Sequence, residues 1–340
     1  MITRYTSILP ALAAALLSIG TATHSVHAAD IKERTIKLPV VTTIDHPLGI
    51  GAAKFSELVR GKSGGRMKVK VFPGGTLGGE AQVVSSLQGG TIEATIVLPA
   101  ALGGLVKDFI ILDLPYVFES EQQAAQVLDG PVGEQLLNYL PQKGLVGLGF
   151  MESGFRNFSN SKHPITKLED LAGLKLRSLQ NPLFVDFTNA LGANAVTLPF
   201  TELYTALETK AVDGQENTYA TVENARFDEV QKYLSATRHV YAAQIILISN
   251  KFWNQLSADE RGILQAAAAE AIDYQRKAAR EADSQARETL KKRGMQVNDL
   301  SPEEIAKIRD TVKPVVDKYA GQVSEDLRNK FFSEVEKARQ

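Results

Sequence analysis

The sequence predicts an α/β protein of two lobes, braced by one long helix near its C-terminal end. Three observations carry that prediction. Strand and helix patterns alternate up to about residue 150 and restart after about residue 152. The chain has 340 residues, more than a single core ordinarily encloses. No proline interrupts the helical pattern between Ser257 and Gly294.

The elements follow in order. Residues 1–28 read as a secretory signal peptide. Arg4 supplies a positive start, Ile8 to Ile19 form an apolar run, and cleavage fits after Ala28, with Val26 at the −3 position. That run is too short to cross a bilayer, which takes about 20 residues. The mature chain is therefore expected to be exported and soluble.

Ile36, Leu38 and Val40 then alternate as a strand, Ala52 to Val59 carry a helical period, and Met67, Val69 and Val71 alternate again. Phe72-Pro73-Gly74-Gly75 marks a turn. Glu80 to Leu87 read as a helix, Thr91 to Leu98 as a buried strand, and Leu112 to Val117 as a short apolar run broken by Pro115. This β-α-β-α-β order predicts a mainly parallel sheet covered on both faces.

In the second half Leu174 to Arg177 form a strand, Leu183 to Leu191 a helix, Asn194 to Thr197 a strand and Thr201 to Glu208 a helix. Ala211 to Gln215 and Gln244 to Ile248 read as strands, with Tyr219 to Phe227 helical between them. Ser257-Ala258-Asp259-Glu260 is a capping box, in which the hydroxyl and the carboxylate satisfy free backbone N–H groups reciprocally. Ile263, Ala267, Ala271, Tyr274, Ala278 and Ala282 then share a face. The helix runs about 35 residues, or roughly 50 Å at 1.5 Å per residue, long enough to lie across both lobes. Ser301-Pro302-Glu303-Glu304 opens another helix with proline at its first position. The division that follows is residues 30–152 with 251–340 as the first lobe plus the long helices, and 153–250 as the second.

Composition narrows the function. Removing residues 1–29 takes away Arg4 and no acid, so 38 basic residues become 37 against 39 acidic ones, a net charge of −2. That balance speaks against a nucleic-acid or membrane-surface binder. The chain has no cysteine, which excludes thiol nucleophiles and cysteine zinc sites. His46, His163 and His239 stand in no metal-ligand spacing, and neither a GxSxG elbow nor a GxxxxGK[ST] loop occurs. Glu216 with Asp213 could do acid–base work, but spacing alone sets neither against a substrate. The expectation is a protein that is not an enzyme and takes no cofactor or metal.

Two arginines point to an anionic ligand. Arg177 ends a strand of apolar character, and Asn181-Pro182 follows. Ligands of open α/β sheets collect beyond the carboxyl ends of strands. Arg156 lies after Leu145 to Phe150, inside Gly154-Phe155-Arg156-Asn157. For either alone an ordinary ion pair is the plain alternative. Two guanidiniums converging on one cleft would hold a carboxylate bidentately.

Several segments in fixed order are similar to one family. They are Leu171-Ala172-Gly173-Leu174-Lys175-Leu176-Arg177, Leu191-Gly192-Ala193-Asn194, Pro199 to Glu208, Val212 to Asn217 and Glu229 to Leu234, with Phe72 to Gly75 and Leu77 to Glu80 earlier. Together they resemble the substrate-binding proteins of tripartite ATP-independent periplasmic (TRAP) transporters, the DctP family, over essentially the whole mature chain. The resemblance implies a two-lobed periplasmic-binding-protein-like fold. It implies capture of a small organic acid in the periplasm and delivery to integral-membrane TRAP subunits; a monomer is expected.

The resemblance also implies roles. Arg177 matches the arginine that bridges the ligand carboxylate, and Arg156 a second cleft arginine. Asn217 would donate its amide, Phe200 would form a wall, and Gln244 matches a cleft glutamine. Glu80 and the loop of His46 would meet the distal end of the ligand, although His46 also reads as a plain loop histidine before Pro47. Apolar Val41 and Leu98 stand where sialate binders carry polar residues. Asn217 stands where sodium-bridged oxoacid binders carry Trp, and Thr218 replaces the usual Pro. A C4-dicarboxylate such as malate, succinate or fumarate is the first expectation, and a uronate or aldonate the second. A hydrolase or lyase acting on the same acids, or a periplasmic ligand sensor, is the rival class.

Overall fold

The computed structural model describes residues 1–3 and 31–339, so the signal-peptide reading falls, but for its first three residues, outside the described part. In chain order the first elements are β1 Arg34–Pro39, α1 Pro47–Lys62, β2 Met67–Phe72, α2 Glu80–Gly89 and β3 Ala94–Val97. Two 3-10 turns, Pro99–Ala101 and Lys107–Asp113, precede α3 Glu121–Asp129, α4 Pro131–Asn138 and the long β4 Leu145–Asn160. Next come β5 Lys175–Ser178, α5 Pro182–Ala190, β6 Asn194–Thr197, α6 Leu203–Glu208, β7 Gly214–Asn217 and α7 Tyr219–Asn224. They lead into β8 Tyr233–Ser249, α8 Asn250–Trp253, α9 Ala258–Lys292, β9 Gln296–Asp299, α10 Pro302–Ala320 and α11 Glu325–Lys337. Among the described residues no helix is long and apolar enough to cross a membrane.

The sheet is mixed, which corrects the mainly parallel expectation. β1 and β2 pair in parallel by themselves, and the larger sheet runs β3-β8-β4-β7-β5-β6, with β9 on β8. Strands joined through helices, such as β5 and β6, are parallel. β4 and β8 instead form one antiparallel ladder from Leu145 opposite Ser249 to Asn160 opposite Tyr233. β4 passes unbroken through residues 152 and 153. Its alternation is blurred by bulges at Gly147/Gly149, Glu152/Gly154 and Arg156/Phe158. Gly149 and Gly154 sit at φ +141° and +100°, which glycine adopts without strain. Arg156 is therefore a mid-strand residue, not part of a loop after a short strand. The Leu112 to Val117 run leaves the 3-10 turn Lys107–Asp113 toward Pro115, and β7 begins at Gly214 rather than Ala211.

Two packed clusters lie at opposite ends of the long helix. Ile36, Phe55 and Met67 join Leu264 and Ala268 of α9 in one. Leu203, Val222 and Phe227 join Ala286 and Leu290 of α9 in the other. The single helix thus touches both units, as its length predicts. Its buried face is rotated from the expected one. Ala267 and Ala271 point inward with Leu264, Ile272 and Ala279, whereas Tyr274 is 48 % exposed, beneath the Lys54 ammonium. Small alanines all round leave the phase open, and two polar residues settle it. Gln275 accepts from Glu152 N at 3.0 Å and donates to Glu152 O at 2.6 Å. Arg276 donates to Phe150 O at 2.7 Å and pairs with Asp129.

The capping box closes as read: Ser257 Oγ accepts from Glu260 N at 3.2 Å, and Ser257 N donates to Glu260 Oε2 at 2.9 Å. Ser257→Ala is expected to lower stability by about 1 kcal/mol, read as a shifted urea midpoint with an unchanged slope.

Candidate functional site

A cavity between the two units is lined by Arg177, Arg156, Asn217, Phe200, Gln244, Glu80 and His46, the residues expected to contact a ligand, whereas Glu216, Asp213, His163 and His239 do not line it. Its volume is about 40 Å³, enough for only a few waters. The walls come from both units.

Arg177 projects from β5 and is 2 % exposed. Its Nε donates to Leu198 O at 2.9 Å, while Nη1 finds no acceptor among the described residues. Burial pulls its pKa down to about 10, against the opposing attraction of Glu216. This is a desolvated guanidinium with free donor capacity.

Arg156 is equally buried, but it is engaged. Its Nε bonds Glu216 Oε2, and Nη2 donates to Glu216 Oε1 at 2.8 Å and to Glu216 O at 2.7 Å. β4 and β7 place the two partners, with Phe158 opposite Glu216 in the ladder. His239 Nε2 lies 3.2 Å from Glu216 Oε2, and its ring packs against both Phe158 and Phe187. Burial raises the Glu216 pKa, but Arg156 and the His239 N–H outweigh it and leave the carboxyl at about 2. Burial lowers the pKa of His239 against the pull of Glu216. Glu216 had appeared in the sequence only as one of a carboxylate pair, and His239 only as unassigned.

The remaining groups are mostly acceptors. Glu80, at the first position of α2, is half-buried, and its Oε1 accepts from Leu98 N at 3.1 Å. Burial raises its pKa against the pull of Arg177 and Arg156. Gln244 Nε2 donates to Ser153 Oγ at 3.2 Å, while Gln244 Oε1 and Thr42 Oγ1 are buried without a partner among the described residues. Asn217 Oδ1 accepts from Thr218 N at 3.1 Å. Phe200 forms one wall and packs on Phe227 at 6.1 Å between centroids.

His46 caps α1. Its Nδ1 accepts from Leu48 N at 3.1 Å, and its Nε2 reaches Thr221 Oγ1 at 3.1 Å on the opposite wall. Burial holds its pKa at about 3. Thr221, Ser153 and Thr42 were not foreseen, because single hydroxyl residues carry no sequence pattern.

Known proteins place the cavity in context. Residues 40–322 match the model of bacterial extracellular solute-binding protein family 7, DctP. A TRAP periplasmic solute-binding protein of Ochrobactrum anthropi is 51% identical, with a TM-score of 0.82 over 91% of this chain and 97% of that one. The sugar acid binding protein DctPAm of Advenella mimigardefordensis, solved with galactonate, is 43% identical with a TM-score of 0.89 over 91% and 100%. The C4-dicarboxylate-binding periplasmic protein DctP of Rhodobacter capsulatus is 34% identical over 85% of this chain and 87% of its own length.

Proposed function

The chain belongs to bacterial extracellular solute-binding protein family 7, and from that premise we propose that it captures a small carboxylate in the periplasm and presents it to the membrane subunits of a TRAP transporter. The observation that carries the reading is Arg177, a buried guanidinium with an unused N–H inside a cavity between two units. The ligand carboxylate takes that N–H, and Arg156, steadied by Glu216, borders the same space. First-lobe groups close over the guest, so affinity comes from contacts made only in the closed form.

The balance of charge favours the sugar-acid reading over the C4-dicarboxylate. Arg156 is neutralised by Glu216, which leaves Arg177 as the one unpaired cation among the described residues that line the cavity. A dianion would bring its second carboxylate into a space already bordered by the Glu80 carboxyl. A polyhydroxy monoanion instead offers one carboxylate to Arg177 and hydroxyl donors to Glu80, Gln244 Oε1 and Thr42 Oγ1.

A thermal-shift panel of D-galactonate, D-galacturonate, succinate and malate tests this. A ligand at 100 times its Kd stabilises by about 2.7 kcal/mol. D-galactonate is expected to give the largest shift. A larger shift with succinate restores the dicarboxylate, and no shift with any acid sinks the carboxylate site. NMR of the acid after incubation decides the rival class: conversion to product marks an enzyme, line broadening of an unchanged acid a binder.

A further inference from the structure

We infer that His46, Thr221 and Thr218 form a hydrogen-bonded latch that joins the two walls of the cavity and is weakened when the His46 ring becomes charged. The inference rests on the cavity being the ligand site and adds how its closure is controlled.

The chain of bonds has a fixed direction. Leu48 N donates to His46 Nδ1, so that nitrogen carries a lone pair and the proton sits on Nε2. Nε2–H therefore donates across the cavity to Thr221 Oγ1. The Thr221 hydroxyl is then free to donate to Thr218 Oγ1, 2.8 Å away. Thr218 Oγ1 also accepts from Thr221 N at 3.3 Å and caps α7. Thr218 Oγ1 supplies the last acceptor of the chain. A second bond joins the same loop and helix, from Thr43 Oγ1 to Asn224 Oδ1 at 2.6 Å. α1 and α7 belong to different packed clusters, so these bonds tie one unit to the other.

Protonation undermines the latch at its base, although Nε2–H still donates to Thr221 Oγ1. A proton on Nδ1 removes the acceptor for Leu48 N, and it leaves a cation in a site where burial has pulled the pKa down to about 3. Glu80 of α2, Arg156 of β4 and Arg177 of β5 line the same cavity. Asp45 is on the same loop, and Asp283 of α9 stands behind α7, accepting from Ala220 N. None of them ion-pairs with the ring among the described residues. In the open form the ring meets water and titrates at about 6.5. A pKa lower in the closed form than in the open one means closure is intact above about 6.5 and weakens as pH falls below it.

The test is imidazole NMR on the whole protein, alone and with D-galactonate, together with calorimetry. With bound D-galactonate the His46 ring is expected to stay in the Nε2–H form down to pH 5, and a ring titrating near 6.5 overturns the latch. Should D-galactonate fail to bind, the ligand reading is what has failed; in the free protein at pH 7.5 the Nε2–H tautomer then supports the bond order of the latch, and the Nδ1–H tautomer overturns it. Affinity for D-galactonate is expected to fall about tenfold from pH 7.5 to pH 5.5. His46→Asn, which keeps a capping oxygen for α1, is expected to flatten that dependence. Thr221→Val, which removes only the hydroxyl, should weaken binding about five- to tenfold at pH 7.5. Unchanged affinity in Thr221→Val would mean that burial alone sets the ring's pKa, and the latch would be abandoned.

Discussion

Arg177→Lys is expected to keep the fold and weaken acid binding roughly 30- to 150-fold, the equivalent of about 2–3 kcal/mol for one charge-assisted hydrogen bond. The guanidinium does two things at once: Nε holds Leu198 O, and the Nη groups remain for the ligand. An ammonium at the end of a flexible stem cannot hold that carbonyl and keep a planar fork for a carboxylate. Arg177→Met separates binding from folding. Keeping this side chain charged in its buried place costs about 3 kcal/mol, judged from a pKa lowered from 12.5 to about 10. The methionine variant should therefore unfold at a higher denaturant concentration without ligand while losing binding altogether, a trade of stability for function. Calorimetry with D-galactonate and urea denaturation measure the two effects. Binding within threefold of wild type in Arg177→Lys would remove this residue from the site.

What could be read in the sequence depended on the range of the interaction. The capping box at Ser257 and the turn at Phe72 to Gly75 are local, so they fixed the start of α9 and the end of β2. Arg177 could be picked out because a charged residue closing an apolar strand has few other places to go. The β4–β8 ladder was hidden for the opposite reason. It joins residues about 70 to 100 apart, and its glycines and polar residues mimic a loop while bulges absorb them. The engagement of Arg156 was hidden too. In β7 every residue from Gly214 to Asn217 is buried, so alternation cannot tell which neighbour of Asn217 faces the arginine. The phase of α9 escaped because alanine fits either face, and Gln275 and Arg276 were drawn inward by backbone groups of β4 that no helical pattern reveals.

The second large effect follows from that hidden pair. Glu216→Gln should destabilise the protein by about 3–5 kcal/mol, because it leaves Arg156 as a buried charge without a counter-ion. The amide keeps the size and can still accept one hydrogen bond, so packing is not the cause. The pH dependence identifies the electrostatic origin. Glu216 sits at about 2 in the folded protein, against 4.5 for an ordinary glutamate. A carboxylate with a depressed folded pKa stabilises fully above its unfolded pKa, and loses that contribution as pH falls through the folded one. The shift corresponds to about 3 kcal/mol, in line with the cost of breaking the pair. The gap in unfolding free energy between wild type and Glu216→Gln should therefore be full at pH 7 and narrow progressively as pH falls from about 4.5 toward 2. Urea titrations at pH 7, 5, 4 and 3 would follow it. A gap of constant size across that range would mean that the glutamine disturbs packing, and that the Arg156–Glu216 charge pair contributes little to holding β4 against β7.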